Sequence, residues 1–224
     1  MQVLLTGATG MVGQAVLREC LRDPAIERIV ILTRKPLGLA DPRVTEIVRD
    51  DIAQLAGMEP VLTGLDACFH CMGVSSGGMS EARYTELTYT LALDLAGTLA
   101  RTSPAATFVY VSGAGTDSSE SGRSMWARVK GRTENALLRL PFRAAYMLRP
   151  AIIVPQDGVR SSTRSYQLFY DVAKPLLPLL RRLAPRTVLT SREIGRVMLD
   201  LARSGYDRPV LETADMRRLL DRQG

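Results

Sequence analysis

Short, unbroken apolar runs alternate along the chain with longer segments in which apolar residues return every three or four positions. The runs at 3–5, 28–32, 44–48, 66–70, 107–111 and 144–148 read as strands. Most lack polar alternation, as strands do when helices cover both faces of a parallel sheet. Helical spacing fills the gaps. Residues 11–21 place Val12, Val16 and Cys20 on one side, and Asp23-Pro24 ends the helix. A long helix over 80–102 aligns Tyr84, Leu87, Leu91, Leu95 and Leu99 on a face expected to meet the core, and another helix covers 124–140. Strand and helix in regular alternation specify an α/β fold with a doubly wound parallel sheet, whose strand C-termini share one ligand-binding edge.

Beyond Arg149-Pro150 the pattern loosens. A helix is expected over 161–174, interrupted by Pro175 and Pro178, then a short strand at 187–190. Ser191 is expected to cap a helix to Arg203 with Ile194, Val197, Met198 and Leu201 inward, with further elements at 210–212 and 214–220. This divides a single domain into a core at 1–155 and a small substrate-side extension at 156–224 packed onto it. No internal repeat or low-complexity linker separates them. No stretch approaches the roughly 18 uninterrupted apolar residues of a membrane span. The strand-like run from Gln2 is expected to put the N-terminus in the fold rather than in a leader.

Gly7, Gly10 and Gly13 stand three apart in TGATGMVG, after the first strand and at the opening of the first helix. That context makes the triplet a phosphate turn of the Rossmann type. Gly7 allows the tight turn, Gly10 lets the backbone approach a pyrophosphate, and Gly13 lets the helix pack on the sheet. With Thr9, Met11 and Val12 they form a turn whose unpaired N–H groups face the anion, aided by the helix dipole. NAD binders usually hold the ribose 2′-hydroxyl with an acid at the end of the second strand. This chain has Thr33, Arg34 and Lys35 there. A guanidinium suits a 2′-phosphate, so NADP(H) is expected over NAD. Asp51 and Ile52, after the third strand, stand where such folds contact adenine.

The net charge of +6 raises nucleic-acid binding as an alternative. The 29 cationic residues are arginines apart from Lys35, Lys130 and Lys174, and they are spread along the chain without aromatic interleaving. A phosphate-tracking face needs clustering, so no nucleic-acid partner is expected. Cys20, Cys68 and Cys71 make an odd set with no disulfide framework, from which a cytoplasmic location is expected. Cys68 and Cys71 form a C-x-x-C within a strand, and strand residues three apart face opposite sides. No metal is expected there. His70, the only histidine, reads as structural, and it leaves no material for histidine triads.

With these residues in view, the chain resembles the short-chain dehydrogenase/reductase superfamily in its atypical branch, over roughly residues 1–155. TGATGMVG is similar to that branch's turn, and MGVSSGG, with Met72 and Gly73, to its second coenzyme loop. FVYVSGAGTD, WARVKGRTEN and YMLRPAIIVP match in order and spacing. The remainder is similar, less specifically, to a subgroup of NmrA-like and Tat-interactive oxidoreductase-like proteins. In the superfamily a serine orients the substrate carbonyl, a tyrosine moves the proton, and a lysine four residues later supports the tyrosine and holds the nicotinamide ribose. The resemblance puts Ser112 and Lys130 at the serine and lysine positions. Trp126 stands at the tyrosine position. An indole N–H donates a hydrogen bond but does not titrate, so it is no general acid.

Three functions remain open. One is an NADPH-dependent reductase of a flat apolar acceptor, flavin or quinone, for which biliverdin/flavin reductase-like members set the precedent. The second is a non-catalytic NADP(H)-sensing protein, as in NmrA-like members. The third is a carbonyl reductase or epimerase with another proton donor, Tyr84 and Tyr89 being remote candidates, although Tyr84 reads first as packing. Tyr166, Phe169 and Tyr170, with Leu176, Leu177 and Leu179, are expected to line the acceptor side. A small-molecule acceptor is the expected partner, with no membrane association despite Arg181 and Arg182, and a monomer or homodimer as the assembly.

Overall fold

Strands β1 (Gln2–Thr6), β2 (Arg28–Thr33), β3 (Val44–Val48), β4 (Ala67–His70), β5 (Thr107–Val111) and β6 (Ala144–Arg149) coincide closely with the expected runs. The computed structural model describes residues 1–52, 54–156 and 187–222. Two later strands, β7 (Ile152–Val154) and β8 (Val188–Thr190), pair in parallel with each other, and β9 (Val210–Glu212) joins the main sheet. The seven-stranded order is β3-β2-β1-β4-β5-β6-β9, with every pair parallel. The order reverses between β1 and β4, so a crevice opens at their C-terminal ends.

The unbroken apolar runs are the strands buried on both faces: Val3 to Leu5, Ile29 to Ile31 and Ala67 to Phe69 are all fully or almost fully buried. Alternate residues feed two cores. Leu5, Ile31 and Phe69 meet Val16 and Cys20 of α1 (Met11–Arg22) on one face. Ile194, Val197 and Met198 of α6 (Ser191–Ser204) and Met216 of α7 (Thr213–Asp221) belong to the same core. Leu4, Val30, Cys68 and Phe108 meet Leu95 and Leu99 of α4 (Leu91–Thr102) and Leu137 of α5 (Met125–Leu137) on the other face. β3 is one of the two edge strands, and none of its residues is fully buried. Its Glu46 carboxylate accepts from the N–H of Leu37 at 2.6 Å and of Leu39 at 3.1 Å, which folds the preceding loop over that edge.

The segment after 155 is more than the expected substrate-side extension: β9 completes the sheet, and α6 packs on α1. Gly195 permits that contact, because a Cβ there would lie 3.0 Å from Glu19 Cγ and 3.3 Å from the Ala15 carbonyl oxygen. The cap of α6 is Thr190 rather than Ser191. The Thr190 hydroxyl accepts from Glu193 N–H at 3.1 Å, and the Glu193 carboxylate accepts from Thr190 N–H at 2.6 Å, a reciprocal capping box. The expected helix over 161–174 and the residues from Tyr166 to Arg182 lie outside the described residues. A four-residue helix α2 (Glu59–Leu62), absent from the sequence reading, precedes β4.

The long helix over 80–102 is interrupted. It comprises α3 (Glu81–Thr85), a π turn at Glu86–Thr90 and then α4. A π turn adds a residue to the repeat and rotates the helix before it against the helix after it. Tyr84, Leu95 and Leu99 are buried as expected, but Thr88 and Ala92 join the buried side. Leu87 and Leu91 instead line the crevice above β1 and β4.

The C-x-x-C behaves as strand geometry requires. Cys68 lies in the core on the α4 side, whereas Cys71 packs against the α1 side with its Sγ 4.0 Å from Met198 Sδ. Burial raises both thiols above their ordinary range. His70 is buried beside Phe108 and Tyr110, and its Nδ1 pairs with Thr6 Oγ1 at 3.1 Å across the β1–β4 junction. Burial lowers its pKa to about 4. The folded value lies below the unfolded one, so stability is full above pH 6.5 and falls as pH drops from there towards 4. Urea titrations at pH 7 and pH 5 are expected to differ by about 2 kcal/mol from this group. In His70→Phe that share of the pH dependence should vanish.

Candidate functional site

β1 hands the chain to the turn at Gly7, whose φ of 73° is left-handed. A Cβ at Gly7 would lie 2.6 Å from the carbonyl carbon and oxygen of Cys71, so only glycine lets the turn pass the end of β4. Gly10 N–H donates to the Gly7 carbonyl at 2.9 Å, and Gln14 Nε2 donates to the Thr9 carbonyl at 2.8 Å, which pins the turn to α1. Gly13 plays a different part from the expected one. Its Cβ would sit 2.1 Å from the Gly7 carbonyl oxygen and 3.0 Å from Ala8 Cα, so it lets the helix close on the turn rather than on the sheet.

Gly10 is the N-cap and has no side chain to satisfy the first-turn amides of Met11, Val12 and Gly13. No acidic residue stands in that first turn to repel an anion. A Cβ at Gly10 would meet only the Gly7 carbonyl oxygen, at 3.3 Å, so the space beyond its α-carbon is open. Bare α-carbons, free amides and no carboxylate fit a pyrophosphate.

The turn opens into a crevice of about 470 Å³. Gly7, Thr9 and Gly10 form its floor with Met72 and Gly73 after β4. Thr33, Arg34, Asp51 and Ile52 line the end towards β2 and β3, so most of the expected coenzyme residues converge here. Met11, Val12, Gly13 and Lys130 are not among the lining residues. The Thr33 hydroxyl is spent on its own turn, donating to the Lys35 carbonyl at 2.9 Å. Arg34 is exposed at the rim and makes no hydrogen bond or ion pair among the described residues. The opposite wall, missed in the sequence, comes from the π turn and its flanks: Leu87, Thr90, Leu91 and Asp94, with the Arg83–Glu86 ion pair at 2.6 Å on the rim.

Ser112, Trp126 and Lys130 come together around the end of β5 and the loop after it, and none of them lines the crevice. Trp126 and Lys130, one helical turn apart on α5, both turn towards the loop after β5. The indole lies against Gly115, where a Cβ would be 3.5 Å from the Trp126 ring. The Lys130 ammonium donates to the Ser112 carbonyl oxygen. Burial lowers the Lys130 pKa to about 8, against the opposing pull of Glu134. The Ser112 hydroxyl points inward and donates to Glu134 Oε1 at 2.5 Å. The loop is held from below: Asp117 N–H donates to the Ala127 carbonyl at 3.1 Å, and Asp117's own carbonyl oxygen sits over Gly131, where any Cβ would collide.

The remote proton donors do not reach the crevice. Tyr84 is buried, and the Tyr89 ring lies under the Arg132 guanidinium at 4.5 Å. Among the described residues, no group of three His, Cys, Asp or Glu side chains could hold a metal ion, and no helix is long and apolar enough to cross a membrane.

Residues 3–124 match the NAD dependent epimerase/dehydratase family. Protein fmp52, mitochondrial, of Aspergillus fumigatus is 30% identical over 170 residues, which span 72% of this chain and 69% of that protein. An oxidoreductase of the short-chain dehydrogenase/reductase family from Burkholderia thailandensis superposes with a TM-score of 0.67 at 15% identity, over 99% of this chain and 96% of that one. UDP-glucuronic acid 4-epimerase from Bacillus cereus, in complex with NAD, superposes with a TM-score of 0.69 at 14% identity, over 95% and 78%. The two superpositions carry the fold alone.

The expected cytoplasmic location is corrected by these relatives, since several homologues are named as mitochondrial proteins. Free thiols report a reducing environment and do not name a compartment, so the cysteine pattern pointed to the wrong one. The phosphate turn, the strand order and the sequence match lead to one conclusion: the chain belongs to the NAD dependent epimerase/dehydratase family.

Proposed function

We propose that the chain is an NADP(H)-dependent reductase of a flat, apolar acceptor of the flavin or quinone class. The observation that carries this reading is the state of the expected proton relay. An indole occupies the tyrosine position against Gly115, the serine hydroxyl is turned inward to Glu134, and the lysine rests on the serine's carbonyl. The indole does not titrate, the serine proton goes to Glu134, and the lysine ammonium is directed to the Ser112 carbonyl rather than to a substrate.

Gly7, Gly10 and the first-turn amides of α1 would hold the pyrophosphate, Ile52 and Leu91 the adenine, and Arg34 a 2′-phosphate. When bound there, the reduced coenzyme would supply a hydride to the acceptor. Trp126, a flat and half-buried ring against the loop after β5, would offer such an acceptor a stacking surface. Solvent delivers the accompanying proton, so a fixed general acid is dispensable.

NADPH oxidation measured against a panel of flavins and quinones tests the reading. Turnover with at least one of them is expected, with none on simple aldehydes or ketones. Tight NADPH binding without turnover on any acceptor would make the chain a coenzyme-binding protein instead. Trp126→Tyr restores the missing phenol one turn before Lys130 and is expected to add weak carbonyl reduction. A variant that gains no such activity while staying folded would show that the serine and lysine no longer serve that chemistry.

A further inference from the structure

Ser112, Lys130, Glu134 and Arg149 come from the loop after β5, from α5 and from β6, and they close into one network. Glu134 has no exposed surface, and Arg149 Nε lies 3.1 Å from both of its carboxylate oxygens. Arg149 also donates to Ser118 Oγ at 2.5 Å and reaches Glu212 at 3.4 Å, which ties the pair to the loop and to β9. Ser112 Oγ stands 3.0 Å from the Leu148 carbonyl oxygen and 2.5 Å from Glu134. A hydroxyl has one proton to give, and the carboxylate is the stronger acceptor. The Leu148 carbonyl is satisfied independently by the Ser112 N–H at 2.8 Å.

Ser112 is therefore gripped twice from one face of α5, by its hydroxyl on Glu134 and by its carbonyl on Lys130, one helical turn apart. We propose that Glu134 is a positioning residue for Lys130: by holding Ser112 through its hydroxyl, it fixes the carbonyl on which the ammonium rests. Arg149 neutralises Glu134 and keeps the carboxylate in register. Other charged groups on elements packed against α5 are engaged elsewhere. Glu81 of α3 pairs with Arg128, Arg83 pairs with Glu86, Tyr89 lies under Arg132, and Asp94 of α4 lines the crevice. Asp117 is bound by Ser119 and Gly122. Glu134 is left as the charge that acts on Lys130. The clamp stands apart from the reductase reading; only its use in holding coenzyme rests on that reading.

Lys35, Lys130 and Lys174 are the only lysines, so protein labelled with carbon-13 at lysine Cε gives three signals, and Lys130→Arg identifies the one of interest. In the wild type the Lys130 signal should titrate near 8, with its two Hε protons inequivalent because the side chain is fixed. Glu134→Gln is expected to lower the midpoint by about one unit, since the opposing charge is gone. Ser112→Ala keeps the Glu134–Arg149 ion pair and is expected to merge the two Hε signals. Should Glu134→Gln fail to fold, Ser112→Ala decides alone. An unchanged Lys130 signal in a folded variant of either kind overturns the clamp. Adding NADPH to the wild type then separates the two claims. A Lys130 signal that responds to both substitutions but not to coenzyme upholds the clamp and overturns the ribose-holding role that the family resemblance implies for Lys130.

Discussion

Gly13→Ala is expected to abolish coenzyme binding and to lower the melting temperature by several degrees. The new methyl would press on the carbonyl oxygen and carbon of Gly7, at 2.1 and 2.6 Å, and on Ala8 Cα at 3.0 Å. These are backbone atoms of the phosphate turn, so relief requires moving α1 away from the turn. Overpacking of this kind costs about 1–3 kcal/mol, or more where backbone must shift. In a chain of this size each kcal/mol is worth roughly 2–4 °C. The turn would no longer present its amides together, and NADPH affinity should fall by more than about a hundredfold, as for the loss of several charge-assisted bonds. Gly10→Ala separates packing from ligand contact. Its Cβ meets only one atom, at 3.3 Å, yet stands in the open space above the turn. It should melt close to the wild type and still lose NADPH. Thermal unfolding and a fluorescence titration of NADPH check both, and a Gly10→Ala protein that binds like the wild type would contradict the assignment of the turn.

Arg34→Glu is expected to reverse the choice between coenzymes. Arg34 stands just past the end of β2 on the crevice rim with no ion pair among the described residues, and Asp51 lies across the same end of the crevice. Removing a charge-assisted bond to a 2′-phosphate costs about 1.5–3 kcal/mol, roughly ten- to a hundredfold in affinity. The carboxylate adds repulsion towards the phosphate and can accept from a 2′-hydroxyl. NADPH affinity should therefore fall by at least about tenfold while NADH affinity holds or rises. The substitution is exposed, so its melting temperature should match the wild type. Equal losses for both coenzymes would show that Arg34 does not meet the 2′ position.

Most of the fold was legible because its strands are buried on both faces. Runs such as Ile29 to Leu32 and Cys68-Phe69 have no polar position to blur them, and glycine spacing marks the first turn without tertiary information. The π turn was hidden. Leu87 and Leu91 fit an unbroken helical stripe with Tyr84 and Leu95, and nothing in apolar spacing announces the added residue that turns them into the crevice.

The site was legible at its phosphate end and less so at its chemical end. Glycine reports backbone geometry directly, whereas the direction of the Ser112 hydroxyl depends on Glu134, which lies 22 positions away in sequence. One signal was present: Glu134 stands four residues after Lys130, so the two share a helix face. Its partner Arg149, arriving from β6, could come only from the fold. The cap of α6 was misplaced by one residue because Thr190 and Ser191 are both good caps, and only the reciprocal bonds with Glu193 decide between them.

Calorimetric titration of the purified protein with NADPH and with NADH bears most directly on the whole account. NADPH should bind at a single site, more tightly than NADH by about tenfold or more, from the 2′-phosphate contact with Arg34. No heat from either coenzyme would contradict the phosphate turn itself, and with it the function built on that turn.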